Sequence, residues 1–350
     1  MAKLKVNELS LRGVSRGTDK AGYSTTVGER VLVFGDTHFS AIYTGSHIDY
    51  TDNCMKVMER ILTLAEEANK EKGLAAVIFL GDVFGVKERN IHSTPLHMVL
   101  TSFFQRLNAL SRNNVYSVRG NHDFGEHPDF NLYERLGFIK NPDYIDFNIG
   151  DETQLRFHIM NYGNEDKKIK LHPEGNIVLA HNDFSIPGVT DWHGGQGIDA
   201  TMMYNLKGID ALISGHIHNP SKQAETFSIG DGSGDLINFF YPGCPTRVSE
   251  RYDDCFYCVF DFEDGLVEFS AEPFGLWPAS EEFHEKGTVD ENEGIDPVDQ
   301  MQHERLEEIL EMLRTNQVFG GEITDQIKNI PGVPDRVKEK ALETYQSVLG

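Results

Sequence analysis

The chain is short of cysteine, of basic residues and of long apolar runs. Four cysteines in 350 residues, Cys54, Cys244, Cys255 and Cys258, are too few for a disulfide framework, so a reducing cytoplasm is the expected compartment. Cys255 and Cys258 form a C-x-x-C inside the strand-like run 255–262, where an odd spacing sends them to opposite faces. That argues against a zinc or redox pair. No run approaches the ~20 apolar residues of a membrane span. The amino terminus carries scattered charge and no apolar core segment, so no secretory signal is expected. Basic residues number 32 against 55 acidic ones, a formal net charge of −23. A protein that grips nucleic acid unaided usually shows a basic footprint. This chain as a whole does not, so either its substrate is small or a partner or bound metal supplies the positive field.

What the sequence has in abundance is one device, repeated. Val31 to Phe34 read as a buried strand, Gly35 breaks it, and Asp36 and His38 follow at its carboxyl end. Residues two apart point the same way where a strand runs out, so a carboxylate and an imidazole converge just past the sheet edge, where open α/β sheets place their ligands. The same device recurs as Leu74–Leu80 before Gly81 and Asp82, and as Val115–Val118 before Gly120, Asn121, His122 and Asp123. It returns as Asn176–Ala180 before His181, and as Ile209–Ile213 before Gly215, His216 and His218. Each piece alone is common; five in this order, each after a strand, are a specific signal.

Asp36, His38, Asp82, Asn121, His181, His216 and His218 offer more donors than one metal needs. Two metals sharing Asp82 account for them. Mixed imidazole and carboxylate donors suit Mn, Fe or Zn better than Mg or Ca. Two ions ~3.5–4 Å apart clamp a phosphoryl group and lower the pKa of water. His122, beside Asn121, is placed to approach a leaving oxygen as acid or hydrogen-bond donor, with Asp123 able to hold its other nitrogen. His127, His158, His172, His284 and His303 lack such context and read as structural or exposed; His92 and His97 read as cap or surface residues. His193, in a glycine-rich loop, is a weaker candidate for substrate contact. Tyr43, His47, Asp49 and Tyr50 form a loop that either overhangs the site or merely connects.

Strand, helix, strand, helix, strand through residue 118 predicts a parallel βαβαβ half. The first helix starts at a cap on Thr51 or Asp52, buries Cys54, Met58, Ile61, Leu62, Ala65 and Ala68, and ends at Gly73. The second starts at Thr94-Pro95 and buries a face from Leu96 to Leu110. Short strands follow at 144–149, 153–160, 176–180, 209–214, 236–241, 255–262 and 265–271, giving a second sheet packed on the first with helices outside. The expected division is an N-terminal extension over 1–29, an edge strand or a loose tail, and a catalytic domain over 30–278. An acidic linker over 279–299 and a helical segment over 300–350 complete it. That last segment carries apolar stripes that either fold back on the core or dock a partner.

These motifs resemble the calcineurin-like metallophosphoesterase superfamily over roughly residues 30–262. The resemblance implies an α/β fold, a four-layer α/β/β/α sandwich, with a di-metal site: Asp36, His38, Asp82 and His218 on one ion, Asp82, Asn121, His181 and His216 on the other, and His122 as the catalytic histidine. A narrower resemblance is to the SbcD/Mre-type nuclease subunit of double-strand-break repair complexes. It rests on Gly81-Asp-Val-Phe84, on Tyr241-Pro-Gly-Cys-Pro-Thr-Arg247 and on the terminal helices; length and the segment Ile330 to Pro334 look most like phage versions. It implies Mn-dependent cleavage of DNA, 3′–5′ exonuclease and single-strand endonuclease activity, and docking of an SbcC/Rad-type coiled-coil ATPase on residues 300–350. It further implies a homodimer within a heterotetramer and a bacterial cytoplasm. Gly85 stands where some members carry histidine or aspartate, and residues 272–300 are too short for the family's capping domain. The alternative is a phosphodiesterase or phosphatase for small molecules such as nucleotides, with the same metals.

Overall fold

A computed structural model of the chain describes residues 4–5, 23–25, 29–40, 49–85, 94–123, 128–149, 153–186, 197–230, 236–246, 254–263 and 266–283. Tyr43, His47, His92, His127, His193, Arg247, His284, His303, most of the acidic linker and the helical segment 300–350 lie outside the described residues.

In chain order the strands and helices are β1 (Leu4–Lys5), β2 (Tyr23–Thr25), β3 (Arg30–Phe34), α1 (Tyr50–Glu71), β4 (Leu74–Phe79), α2 (Thr94–Leu110), β5 (Val115–Ser117) and α3 (Pro128–Arg135). Then come β6 (Tyr144–Ile149), β7 (Thr153–Met160), β8 (Asn176–His181), β9 (Phe184–Ser185), β10 (Ile198–Asp199), β11 (Ala211–Gly215), β12 (Glu225–Ser228), β13 (Leu236–Phe240), β14 (Phe256–Glu263), β15 (Leu266–Pro273) and α4 (Ala279–Glu282). One six-stranded sheet runs β1-β15-β14-β3-β4-β5 and one seven-stranded sheet runs β12-β13-β11-β8-β7-β6-β2. β3, β4 and β5 are parallel, as the βαβαβ pattern requires, and so are β7, β8, β11 and β13. The N-terminal extension supplies an edge strand to each sheet: β1 beside β15 and β2 beside β6.

Side-chain alternation divides the apolar residues into three layers. Leu32, Phe34, Val77 and Phe79 face α1, α2 and α3. Val31, Val33, Ala76 and Ile78 face the other way and meet Phe157, Ile177, Leu179 and Ile213 between the sheets. Val178, Ala180, Leu212 and Phe239 fill the far side of the second sheet. There the fourth layer is thin: among the described residues it is built from single 3-10 turns at Ala200–Met202 and Tyr204–Leu206 and the two-stranded β9–β10 sheet rather than long helices. Cys255 lies in the first layer and Cys258 in the second, so the two thiols do point to opposite faces.

α1 buries the predicted stripe with Val57 and Leu64 added, each large aliphatic group stabilising the fold by roughly 1.5–3 kcal/mol. Its cap differs from expectation. Asp49, not Thr51 or Asp52, is the N-cap: its carboxylate accepts from the Asp52 amide at 2.9 Å. The Asx side chain one residue before the helix wins because it alone has an extended backbone there. Tyr50 is buried in the first turn and donates to the His38 carbonyl at 2.9 Å, so this pair connects rather than overhangs. His97 is not at the surface either; it is buried, with Nε2 3.3 Å from Asp129 and Nδ1 3.3 Å from the Tyr133 hydroxyl. The chain stays packed through Phe283, which is buried beyond α4.

Candidate metal centre

The carboxyl ends of β3, β4, β5, β8 and β11 meet at one point shared by both sheets. The loops after the first two strands continue to pair: His38 donates to the Asp82 carbonyl at 2.8 Å and Phe39 to the Val83 carbonyl at 2.9 Å. His38, Asp82 and His216 hold left-handed backbone, at φ 43, 46 and 80. Non-glycine residues there typically cost of order 1–3 kcal/mol each and gather where geometry serves function. Two glycines let the ligand loops close: a Cβ on Gly120 would collide with the Asp82 carboxylate, and one on Gly215 with that of Asp36.

All seven candidate ligands come together. His38 Nε2 is 3.0 Å from His218 Nε2 and 3.8 Å from Asp82 Oδ2. His218 Nε2 is 3.5 Å from Asp36 Oδ2. On the other side, Asn121 Oδ1 lies 3.0 Å from His181 Nε2 and 2.9 Å from His216 Nδ1, and His181 Nε2 is 3.3 Å from Asp82 Oδ2. Asp82 thus faces both groups of imidazoles. His181 Nδ1 donates to the Leu80 carbonyl at 2.8 Å, which fixes the tautomer and turns Nε2 to the cluster. Asp36, deeply buried, also accepts from the His216 amide at 2.9 Å.

Burial and mutual charge set the electrostatics of the cluster. Burial pushes Asp36 up to about 8, with Asp82 adding to this and His181 opposing it. Burial also works against the charge on Asp82, but His181, His38 and His122 more than offset it and hold that carboxyl below the usual range. His181 is raised to about 9 by Asp82 and Asp36 in spite of its burial. Desolvation, with His218 nearby, drives His38 well below its ordinary value, and desolvation lowers His218 to about 4. Burial thus disfavours charge on Asp36, Asp82 keeps its charge beside His181, and desolvation disfavours the protonated forms of His38 and His218, leaving ring lone pairs available. A nitrogen and oxygen donor set of this kind fits divalent cations.

His122 lies at the rim. Its amide donates to Asp82 Oδ1 at 2.7 Å, and its Nδ1 lies 3.1 Å from the Gly85 carbonyl, leaving Nε2 toward the cluster at 4.0 Å from Asp82 Oδ2. Asp123 does not hold the imidazole, as its adjacency had suggested. It is fully buried and accepts from the amides of Val83 at 3.1 Å, Phe84 at 3.3 Å and Gly120 at 3.3 Å. Successive residues in this tight turn point apart, so Asp123 braces the ligand loops from beneath while His122 faces out. Gly85 has no room for a side chain: a Cβ there would come within 2.7 Å of the His38 carbonyl oxygen.

Two neighbours escaped sequence reasoning. Tyr162, half-exposed, sets its ring 5.9 Å from that of His216 and 6.4 Å from that of His181. The signal was its place just past β7, which runs parallel to β8 and so ends at the same edge. Cys244 puts its sulfur beside His38 and His218; here the signal was the turn Pro242-Gly243 directly after β13. Of the remaining histidines, His158 is buried against Asn176, 2.9 Å away, and His172 is half-buried behind it, so both are structural.

Comparison with known proteins agrees with this geometry. The family profile described as calcineurin-like phosphoesterase matches residues 29–220. No curated protein matches the chain at a significant level. Among solved structures it is similar to a conserved uncharacterized protein of Streptococcus pneumoniae, described as a predicted phosphoesterase. The two share 14% identity over 72% of this chain and 94% of that one, with a TM-score of 0.30.

Proposed function

From the fact that this chain belongs to the calcineurin-like phosphoesterase family, and is thereby a metal-dependent phosphoester hydrolase, we propose that it is a Mn-dependent phosphodiesterase acting on DNA. In this reading it is the nuclease subunit of an SbcCD/Mre-Rad-like repair complex. Asp36, His38, Asp82 and His218 hold one ion, and Asp82, Asn121, His181 and His216 hold the other. Bound there, the pair of cations supplies charge compensation on the phosphoryl oxygens and an acidified water. The protein does the rest. Strand ends and left-handed turns preset the ligand positions, so little reorganises during the reaction. The Leu80 carbonyl keeps the proton of His181 on Nδ1. The Gly85 carbonyl accepts from Nδ1–H of His122, so that when the ring also carries a proton on Nε2 this second proton points to the cluster and can pass to the leaving oxygen.

One observation carries the hydrolase reading: His122 presents Nε2 to the cluster while its Nδ1 is committed to a carbonyl. A phosphoester of an aliphatic alcohol releases a poor alkoxide, which gains from such a donor. The segments Gly81–Phe84 and Tyr241–Arg247 and the apolar stripes read in the sequence after residue 300 support a DNA substrate and an SbcC/Rad-type partner. A net charge of −23 favours the second reading, a small phosphodiester such as a nucleotide.

The test is cleavage of single- and double-stranded DNA against a small chromogenic phosphodiester in Mn, with and without the ATPase. Asp82→Ala and His122→Ala serve as controls. DNA cleavage stimulated by partner and ATP is expected; cleavage of the small ester alone, even with the partner, would reject the DNA assignment. Truncation after residue 299 is expected to abolish capture of the ATPase.

A further inference from the structure

Cys244 stands at the centre, yet the chemistry above gives it no part. Its sulfur and ring nitrogens of His38 and His218 all lie within 4.8 Å of one another. Asp36 Oδ2 adds a carboxylate oxygen 3.5 Å from the His218 nitrogen. The thiol is placed by backbone contacts. Gly243 is left-handed, at φ +88, and Gly35 lies so close that a Cβ on it would collide with the Gly243 carbonyl. This close approach presses the 242–244 turn against the loop that carries Asp36 and His38. From behind, the Pro242 carbonyl accepts from the Phe256 amide at 2.8 Å and the Thr246 carbonyl from the Asn53 side-chain amide at 2.7 Å. The fully buried Thr246 hydroxyl is 3.4 Å from the sulfur and placed to donate to it. Such outer support orients ligands and tunes them.

We propose that Cys244 is a metal ligand: as a thiolate it joins His38, His218 and Asp36 around a thiophilic divalent cation, zinc or ferrous iron, at this end of the centre. The S–H bond breaks as the sulfur–metal bond forms, and the proton leaves to solvent. Two nitrogens, one sulfur and one oxygen make a four-coordinate set of the kind zinc takes, and the shared Asp82 carboxylate adds a fifth donor. The far end, with Asp82, Asn121, His181 and His216, offers only nitrogen and oxygen and suits manganese. The two positions therefore differ in preference. This inference rests on the metal-binding reading of the cluster.

Its test is spectroscopic and uses the full chain, stripped of metal, kept anaerobic and titrated with Co(II). The wild type is expected to show thiolate-to-cobalt charge transfer in the near ultraviolet beside the visible ligand-field bands. Cys244→Ser is expected to lose the former and keep the latter, and Cys255→Ser to keep both. Competition titrations are expected to show zinc affinity at one position falling by about tenfold or more in Cys244→Ser, with manganese changed less than about twofold. Ligand-field bands without charge transfer in the wild type would overturn the role of Cys244 and leave the metal centre standing. So would a charge-transfer band that disappears in Cys255→Ser instead. Failure to take up any cobalt would overturn both readings. The wild-type spectrum decides even if the serine variant does not fold.

Discussion

At the scale of single residues, seven side chains crowd the centre while His122 stands at its rim. His122 has its Nδ1 at the Gly85 carbonyl and its amide on Asp82. Its replacement by asparagine is expected to lower kcat by about 10²–10⁴-fold, the usual worth of a general acid, with two metal ions per chain still counted by elemental analysis. A drop in metal content instead would make His122 a ligand. Gly120 is a different case, since any side chain would meet Asp82. Gly120→Ala is expected to cost about 1–3 kcal/mol in urea unfolding and to weaken metal binding with it. The residues that cluster were legible because each follows an apolar run and a break. Asp123 was misread because spacing along a chain does not say which way a tight turn sends consecutive side chains. Cys244 was overlooked because the Pro242-Gly243 turn marks a break but does not say that the next residue reaches His38 and His218.

Among elements, β7 and β8 carry a histidine unrelated to metal. His158 on β7 is buried against Asn176 on β8, and burial lowers it to about 4 from 6.5. Between those values the unfolded chain binds a proton there that the folded chain refuses, so stability rises with pH across the window and falls on acidification. His158→Gln removes this share. Its urea midpoint is expected to decline less than the wild type's between pH 6.5 and 4, by the equivalent of up to about 3 kcal/mol; equal slopes would disprove it. β6, β7, β8, β11, β13, β14 and β15 were readable from alternation and turn residues. β9, β10, β12 and α3 were not, because two- to four-residue strands and an eight-residue helix hold too few apolar positions to show a period.

For the whole molecule, two packed sheets bring their strand ends to one edge, where Asp36 and Asp82 are buried together. A ligand that binds only the folded form at about 100 times its Kd adds ~2.7 kcal/mol. Saturating Mn or Zn is therefore expected to raise the Tm by about 2–4 °C, and a chelator to reverse it. Asp82→Ala should abolish most of that rise in differential scanning fluorimetry. No described helix is long and apolar enough to cross a membrane. The layered fold was legible in outline from the order of strands and helices. Its outermost layer was not, since single 3-10 turns look like loops in sequence.

Along β3, Val31 and Val33 pack between the sheets while Leu32 and Phe34 pack under the helices. Ordinary aliphatic side chains thereby set the compass bearing of Asp36 and His38. A single codon inserted between Arg30 and Gly35 would flip that phase, and an enzyme with every donor atom still encoded would fall silent.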